Sequence, residues 1–125
     1  MTQEQYNSMI EMLISTTLNR KLNWTELDGD YKANIGDCSI LLSSDYDYTV
    51  NISTYYLKMF NNEGIEFESF SFSKDLNTNE YQQLDRLYKT IRDIIYKITE
   101  SENIILKKLQ EMSTSSLSSD DELPF

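Results

Sequence analysis

An α+β domain is what this sequence encodes, on three observations. Near both ends of the chain, apolar residues recur at three- and four-residue spacing, the pattern of a helix with one buried face. Between them, from Trp24 to Phe72, the spacing falls to two, the period of a half-buried strand. Turn sequences interrupt that central stretch at short intervals. They predict an antiparallel β-meander of about four strands between an N-terminal helix and a C-terminal helix or broken helix pair.

The first helix opens on Thr2-Gln3-Glu4-Gln5, a capping box with Thr2 as N-cap and Gln5 reaching back. Tyr6, Met9, Ile10, Leu13, Ile14, Thr17 and Leu18 then mark one apolar face. Arg20 and Lys21 fall in the expected last turn, where cations suit the helix dipole. The opposite face is too poor in Lys and Arg for a membrane-surface helix, so the helix is expected to pack on a core.

Asp28-Gly29-Asp30 reads as a turn into a strand over 31–35, and Gly36-Asp37 as a turn into Cys38-Ser39-Ile40-Leu41-Leu42. Cys38, in an apolar strand, is expected to be a small buried side chain. Tyr46, Tyr48, Val50 and Ile52 alternate, then the phase slips near Ser53 before Tyr55, Leu57 and Met59 alternate in turn. A bulge, or a break between two strands, accounts for such a slip. Asn61-Asn62-Glu63-Gly64 is the clearest hairpin sequence, and it leads into a strand over 65–73. There Ile65 and Phe67 share one face, and Phe70 and Phe72 the other, unless the strand is bulged.

Asn77-Thr78-Asn79-Glu80 caps the second helix. Tyr81, Leu84, Tyr88, Ile91, Ile95 and Ile98 form its seam, widened by Leu87 and Ile94. Asp85 with Lys89, and Asp93 with Lys97, are acid-first pairs four residues apart on its solvent side. At Thr99-Glu100-Ser101-Glu102 the seam is interrupted and a second capping box arises. It predicts a break, followed by a short helix bearing Ile105, Leu106, Leu109 and Met112; one helix from 78 to 112 is the alternative. A Tyr- and Ile-rich helix face beside a small sheet leaves apolar surface for a homodimer.

The organisation expected is a folded body over 1–112, a Ser-rich linker over 113–119 and a docking tail over 120–125. Residues 113–119 are too polar to bury and, as a flexible chain, span about 15 Å root-mean-square.

Composition limits the chemistry. The 125 residues carry a net charge of −10, and removing Asp120, Asp121 and Glu122 leaves −7. Nucleic acid is met by clustered Lys and Arg, so a generic nucleic-acid binder is disfavoured; Lys97, Lys107 and Lys108 are the one candidate basic patch. With no His and only Cys38, the chain lacks an internal disulfide, a cysteine-rich zinc site and any His-based base. Asp28 with Asp30, and Asp45 with Asp47, read as polar turns and not as cation sites. Gly29, Gly36 and Gly64 are isolated, so there is no glycine-rich phosphate loop. No catalytic residue, metal ligand or cofactor is assigned. No stretch reaches the length of a membrane span and no signal peptide precedes the first helix, so a reducing cytoplasm is the expected location.

What remains is the last six residues, Asp120-Asp121-Glu122-Leu123-Pro124-Phe125. Pro124 fixes its own φ and biases Leu123 towards extended backbone, which lowers the entropy lost on docking. The Phe125 ring suits an apolar pocket, and its carboxylate a cation at the pocket mouth. The three acids steer the segment towards a basic rim. This segment resembles the C-terminal tip of bacterial and phage single-stranded-DNA-binding proteins (SSB), two or three acids followed by Leu/Ile-Pro-Phe. The resemblance implies partners among the replication, repair and recombination proteins that recognise SSB tails, and a phage or mobile-element origin suits a borrowed docking signal. The body is loosely similar to small uncharacterised bacterial α+β proteins. That likeness rests on Leu22-Asn23-Trp24-Thr25, Tyr31-Lys32-Ala33-Asn34-Ile35-Gly36-Asp37, the Asn61–Gly64 hairpin and Leu84-Asp85-Arg86-Leu87-Tyr88.

The expected function is therefore that of a non-enzymatic interaction protein. One alternative is a divergent phage-type SSB. Against it, Lys32, Lys58 and Lys74 are outnumbered by acids in the strands, whose aromatics are expected to serve the core. An oligonucleotide-binding barrel also usually places a helix between its third and fourth strands. A second alternative is an acidic DNA mimic or anti-defence inhibitor.

Overall fold

A computed structural model describes residues 1–119, with side chains through residue 114. Helix α1 (Gln3–Leu18) is followed by five strands, β1 (Trp24–Leu27), β2 (Asp30–Ile35), β3 (Cys38–Asp47), β4 (Ile52–Phe60) and β5 (Glu66–Ser73), and by helix α2 (Thr78–Ser119). The strands form one antiparallel sheet in chain order, β1-β2-β3-β4-β5. The chain falls into two units, Met1–Arg92 and a second beginning at Asp93; α2 contributes residues to both.

The capping box forms as its sequence requires. The Thr2 hydroxyl accepts from the Gln5 backbone N–H at 3.1 Å, and Gln5 Oε1 accepts from the Thr2 N–H at 2.9 Å. The helix stops earlier than expected, however, and Arg20 and Lys21 lie beyond it. Asn19 is the C-cap and Arg20 adopts a left-handed backbone, φ 60°. The Lys21 N–H donates to the Thr16 carbonyl and the Arg20 N–H to the Thr17 carbonyl, the paired bonds of a Schellman motif with arginine where glycine is usual.

A fifth strand is added by Trp24–Leu27, which pairs with β2 across the Asp28-Gly29 turn, Leu27 opposite Asp30. Its burial is slight, so it shows no alternation to read from sequence. The phase slip near Ser53 is a break, not a bulge. Strand β3 runs on to Asp47, a turn covers residues 48–51, and β4 restarts at Ile52 with Asp47 and Ile52 paired. The Asn61–Gly64 hairpin is as expected. Asn61 Oδ1 accepts from the N–H groups of Glu63 (2.9 Å) and Ile65 (3.0 Å), and Gly64 supplies φ 79°. A register shift at Met59/Phe60 leaves Phe67 unpaired and exposed, which moves Phe70 and Phe72 to the inner face.

That inner face presents Tyr31, Ala33, Ile40, Leu42, Tyr55 and Leu57, all buried. Within the first unit both helices cover it. Tyr6 of α1 sets its ring 5.0 Å from Phe70 and 5.5 Å from Phe72. From α2, Tyr81 and Tyr88 lie 4.9 and 5.3 Å from Tyr55. The helices are also joined directly, by Gln83 Nε2 donating to Asn7 Oδ1 and by the Arg86–Glu11 ion pair at 2.6 Å. Thr17, 1% exposed, links α1 to the sheet: its hydroxyl donates to the Leu13 carbonyl and accepts from Trp24 Nε1–H at 2.9 Å.

Three expectations are corrected. Cys38 is exposed, because it starts β3 at the hairpin end, opposite a half-exposed Ile35, beyond the cover of either helix. Of the strand aromatics, Tyr31 and Tyr55 are core, but Tyr46, Tyr48 and Phe67 are exposed. And α2 does not break at Glu102: it is a single helix whose bounds also take in residues 113–119, where a linker was expected. Ser, Thr and Glu cost a helix only tenths of a kcal/mol each, and no Gly or Pro lies between Gly64 and Pro124.

Two substitutions test these local accounts. Arg20→Gly relieves the left-handed backbone and is expected to stabilise by about 0.5–1 kcal/mol, read as a rise of a few degrees in the thermal midpoint. Thr17→Val keeps the shape but strands the indole N–H; denaturant unfolding should show a loss of about 1–3 kcal/mol.

Candidate partner-binding site

The residues expected to dock a partner, Asp120, Asp121, Glu122, Leu123, Pro124 and Phe125, lie outside the described residues. What is described is the helix that leads to them. Every residue of α2 from 96 to 114 is exposed, apolar and polar alike. Lys97, Lys107 and Lys108 do not form one patch, since ten residues of helix separate Lys97 from Lys107 by about 15 Å. Lys108 lies 3.8 Å from Glu111.

Sequence reasoning missed a tyrosine network in the first unit. Tyr31, Tyr88, Tyr55 and Tyr81 form a continuous chain of ring contacts at 4.9–5.3 Å. At its centre the Tyr55 hydroxyl donates to Asp85 Oδ1 at 2.6 Å, and Asp85 Oδ2 meets Lys89 Nζ at 2.9 Å. Burial, then the adjacent Asp85 carboxylate, pushes the Tyr55 phenol well above its ordinary range, so it stays protonated and serves as a donor. Burial pushes Asp85 the other way from its neighbours, but the bonds from Tyr55 and Lys89, with Arg92 nearby, outweigh it and hold the carboxyl below its ordinary value. The network was half legible: Asp85 and Lys89 announce themselves as a helix pair, whereas the bond to Tyr55 spans thirty residues and leaves no local pattern.

Beside this network lies a cavity of about 380 Å³ lined by Ser44, Asp45, Tyr46, Tyr48, Ser53, Thr54, Tyr55 and Tyr81. Its outer lip is the 48–51 turn, where Tyr46 and Tyr48 pack edge to face at 4.7 Å and Tyr46 donates to Asn51 Oδ1 at 3.0 Å. Asp47 there accepts from the Thr49 N–H, so this acid is spent on the turn. The cavity offers ring faces, hydroxyls and one carboxylate, that of Asp45. Asp85, behind Tyr55, is bonded to Tyr55 and Lys89. Among the described residues no cluster of three or more Cys, Asp or Glu is placed to hold a metal ion, and no helix is long and apolar enough to cross a membrane.

Compared with protein-family models, curated proteins and solved structures, the chain matches none.

The Tyr55–Asp85 bond has a consequence in acid. A carboxyl more acidic in the folded chain than its ordinary 3.8 contributes stability above that pH, and the contribution is withdrawn as the pH falls through the folded value. Unfolding free energies measured across the acid range should show Tyr55→Phe weaker than the parent by about 1.5–3 kcal/mol near neutrality. That gap should narrow below the folded pKa of Asp85, and Asp85→Asn should flatten this part of the profile.

Proposed function

We propose that this is a non-enzymatic interaction protein that engages, or competes for, the replication, repair and recombination proteins that bind SSB-type tails. The observation that carries it is the acidic Leu-Pro-Phe segment, Asp120, Asp121, Glu122, Leu123, Pro124 and Phe125. It follows a helix that is exposed from residue 96 to residue 114. Phe125 fills the apolar pocket and its carboxylate meets the cation at the mouth; Leu123 packs at the rim, and the three acids speed encounter with a basic surface. Two features of the body weigh against the competing SSB reading. The sheet is open, with β1 and β5 as edges, and its five strands follow one another without an intervening helix. Its outer face carries Lys32 and Lys58, and Lys58 lies 3.9 Å from Glu66.

The test is a binding titration of the full chain against a purified bacterial protein with a defined SSB-tail pocket. Deleting residues 123–125, or replacing Phe125 by Ala, should weaken binding by about a hundredfold, the loss of a buried aromatic anchor. An amidated 113–125 peptide should compete less well than the free acid, and affinity should fall with added salt. Undiminished binding after the deletion would reject the proposal and favour the acidic body as a mimic of DNA. Salt-dependent binding of oligo-dT by the tail-less chain would favour the SSB reading instead.

A further inference from the structure

We infer that residues 95–112 of α2 pair with the same segment of a second copy of this chain, running antiparallel. The observation is a heptad seam continued past the core. Leu84, Ile91, Ile98, Ile105 and Met112 stand seven apart, and Tyr88, Ile95, Glu102 and Leu109 stand seven apart between them. A repeat of 3.5 residues sustained over four heptads is the signature of a helix paired with a helix, not of a helix lying on a sheet. The first positions, Leu84 and Ile91, are buried in their own unit, whereas Ile98 (49%), Ile105 (59%), Leu109 (56%) and Met112 (65%) are exposed to water. The far side of the same stretch carries Lys97, Glu100, Lys107 and Glu111 with Tyr96 and Ile104 among them, so it is the more polar face but not a purely polar one. A helix of this length takes most of its stability from burying such a stripe, and one left wet is incomplete.

Self-pairing follows from how the seam reads in reverse. In a parallel pair in register, each seam residue meets its own copy, and Glu102 would face Glu102 across a desolvated layer, a costly contact of like charges. Turned about a two-fold axis midway between residues 103 and 104, the seam instead sets Ile95 opposite Met112, Ile98 opposite Leu109 and Glu102 opposite Ile105. Each contact is then made twice and no two carboxylates coincide. The segment is self-complementary in this direction, as an isologous interface requires. It spans about 27 Å of helix, five turns. None of this draws on the tail residues, so it stands apart from the proposed function.

Sedimentation of the full chain at micromolar concentrations tests it. A species of twice the 14.7 kDa chain mass is expected, dissociating on dilution. Ile98→Glu with Ile105→Glu should weaken association by about a hundredfold or more while the tyrosine signal of the body melts unchanged. Glu102→Leu, which removes the one charge from the seam, should tighten it by about tenfold. In a Cys38→Ser background, a mixture of Ile95→Cys and Met112→Cys chains should form the mixed disulfide in preference to either homodimer. A wild-type monomer up to about 200 μM would overturn the inference. So would a dimer indifferent to the seam substitutions, one lost on deleting residues 123–125, or preferential Ile95→Cys homodimers.

Discussion

One face of a five-stranded sheet has to be kept from water by two helices, and aromatic rings do most of the covering. Tyr6 closes the β5 side through Phe70 and Phe72; Tyr81 and Tyr88 close the middle through Tyr55, and Tyr88 reaches on to Tyr31. Rings cover large area with few side chains, which suits a chain that is only 39% apolar. They also need their hydroxyls satisfied. Tyr55 achieves this by bonding Asp85, and Tyr88 reaches the Gly29 carbonyl at 3.3 Å. The Tyr6 hydroxyl, buried, has no hydrogen-bond partner among the described residues. The Tyr55–Asp85 bond is made in the same rotation of α2 that buries Leu84, Leu87 and Ile91.

How far the sequence could be read depended on whether the controlling interaction was local. The capping box at Thr2 and Gln5 and the hairpin at Asn61 and Gly64 were legible because each closes within four residues. The buried seam through Leu84, Leu87 and Ile91 was legible because helical period alone marks it. Strand β1 was not, since its four residues are mostly exposed and pair through backbone groups that every sequence possesses. The end of α1 was misjudged because an arginine occupies the left-handed position that usually advertises itself as glycine. Asn77, expected as a side-chain cap, turns back instead so that its Oδ1 accepts from the Ser73 N–H, and its carbonyl takes the Tyr81 N–H. The break expected at Glu102 placed too much weight on a cap sequence. Such a sequence can start a helix, but it does not stop one already under way.

The docking segment proposed at 120–125 lies outside the described residues and rests on sequence alone: its parts are six consecutive residues, so no tertiary contact is needed to bring them together. The tyrosine network shows the contrast. Tyr55, Tyr81, Asp85 and Lys89 acquire meaning only once β4 and α2 are placed face to face, and in sequence Asp85 is one more acid in an acidic chain. The folded groups with the most perturbed protonation, Tyr6, Tyr55 and Asp85, all belong to this covered face, where burial and bonding within the core account for them. Perturbed titration therefore points here to packing and not to chemistry.

The charge balance sets the terms for both proposals. Bringing together two chains of −10 opposes association at long range, and salt relieves that opposition over about 8–10 Å. A contact that survives it must be apolar, narrow and self-complementary. The seam from Ile95 to Met112 meets that description, and the acid-rich surface elsewhere does not. In the proposed docking the same charge would help, since three acids lead into Leu-Pro-Phe and each would favour a basic pocket rim. An antiparallel pair would direct its two carboxy-terminal segments to opposite ends of the paired helices. It would therefore bridge two partner molecules more readily than hold one by two sites, because the second segment gains effective concentration only where its span matches the distance between pockets.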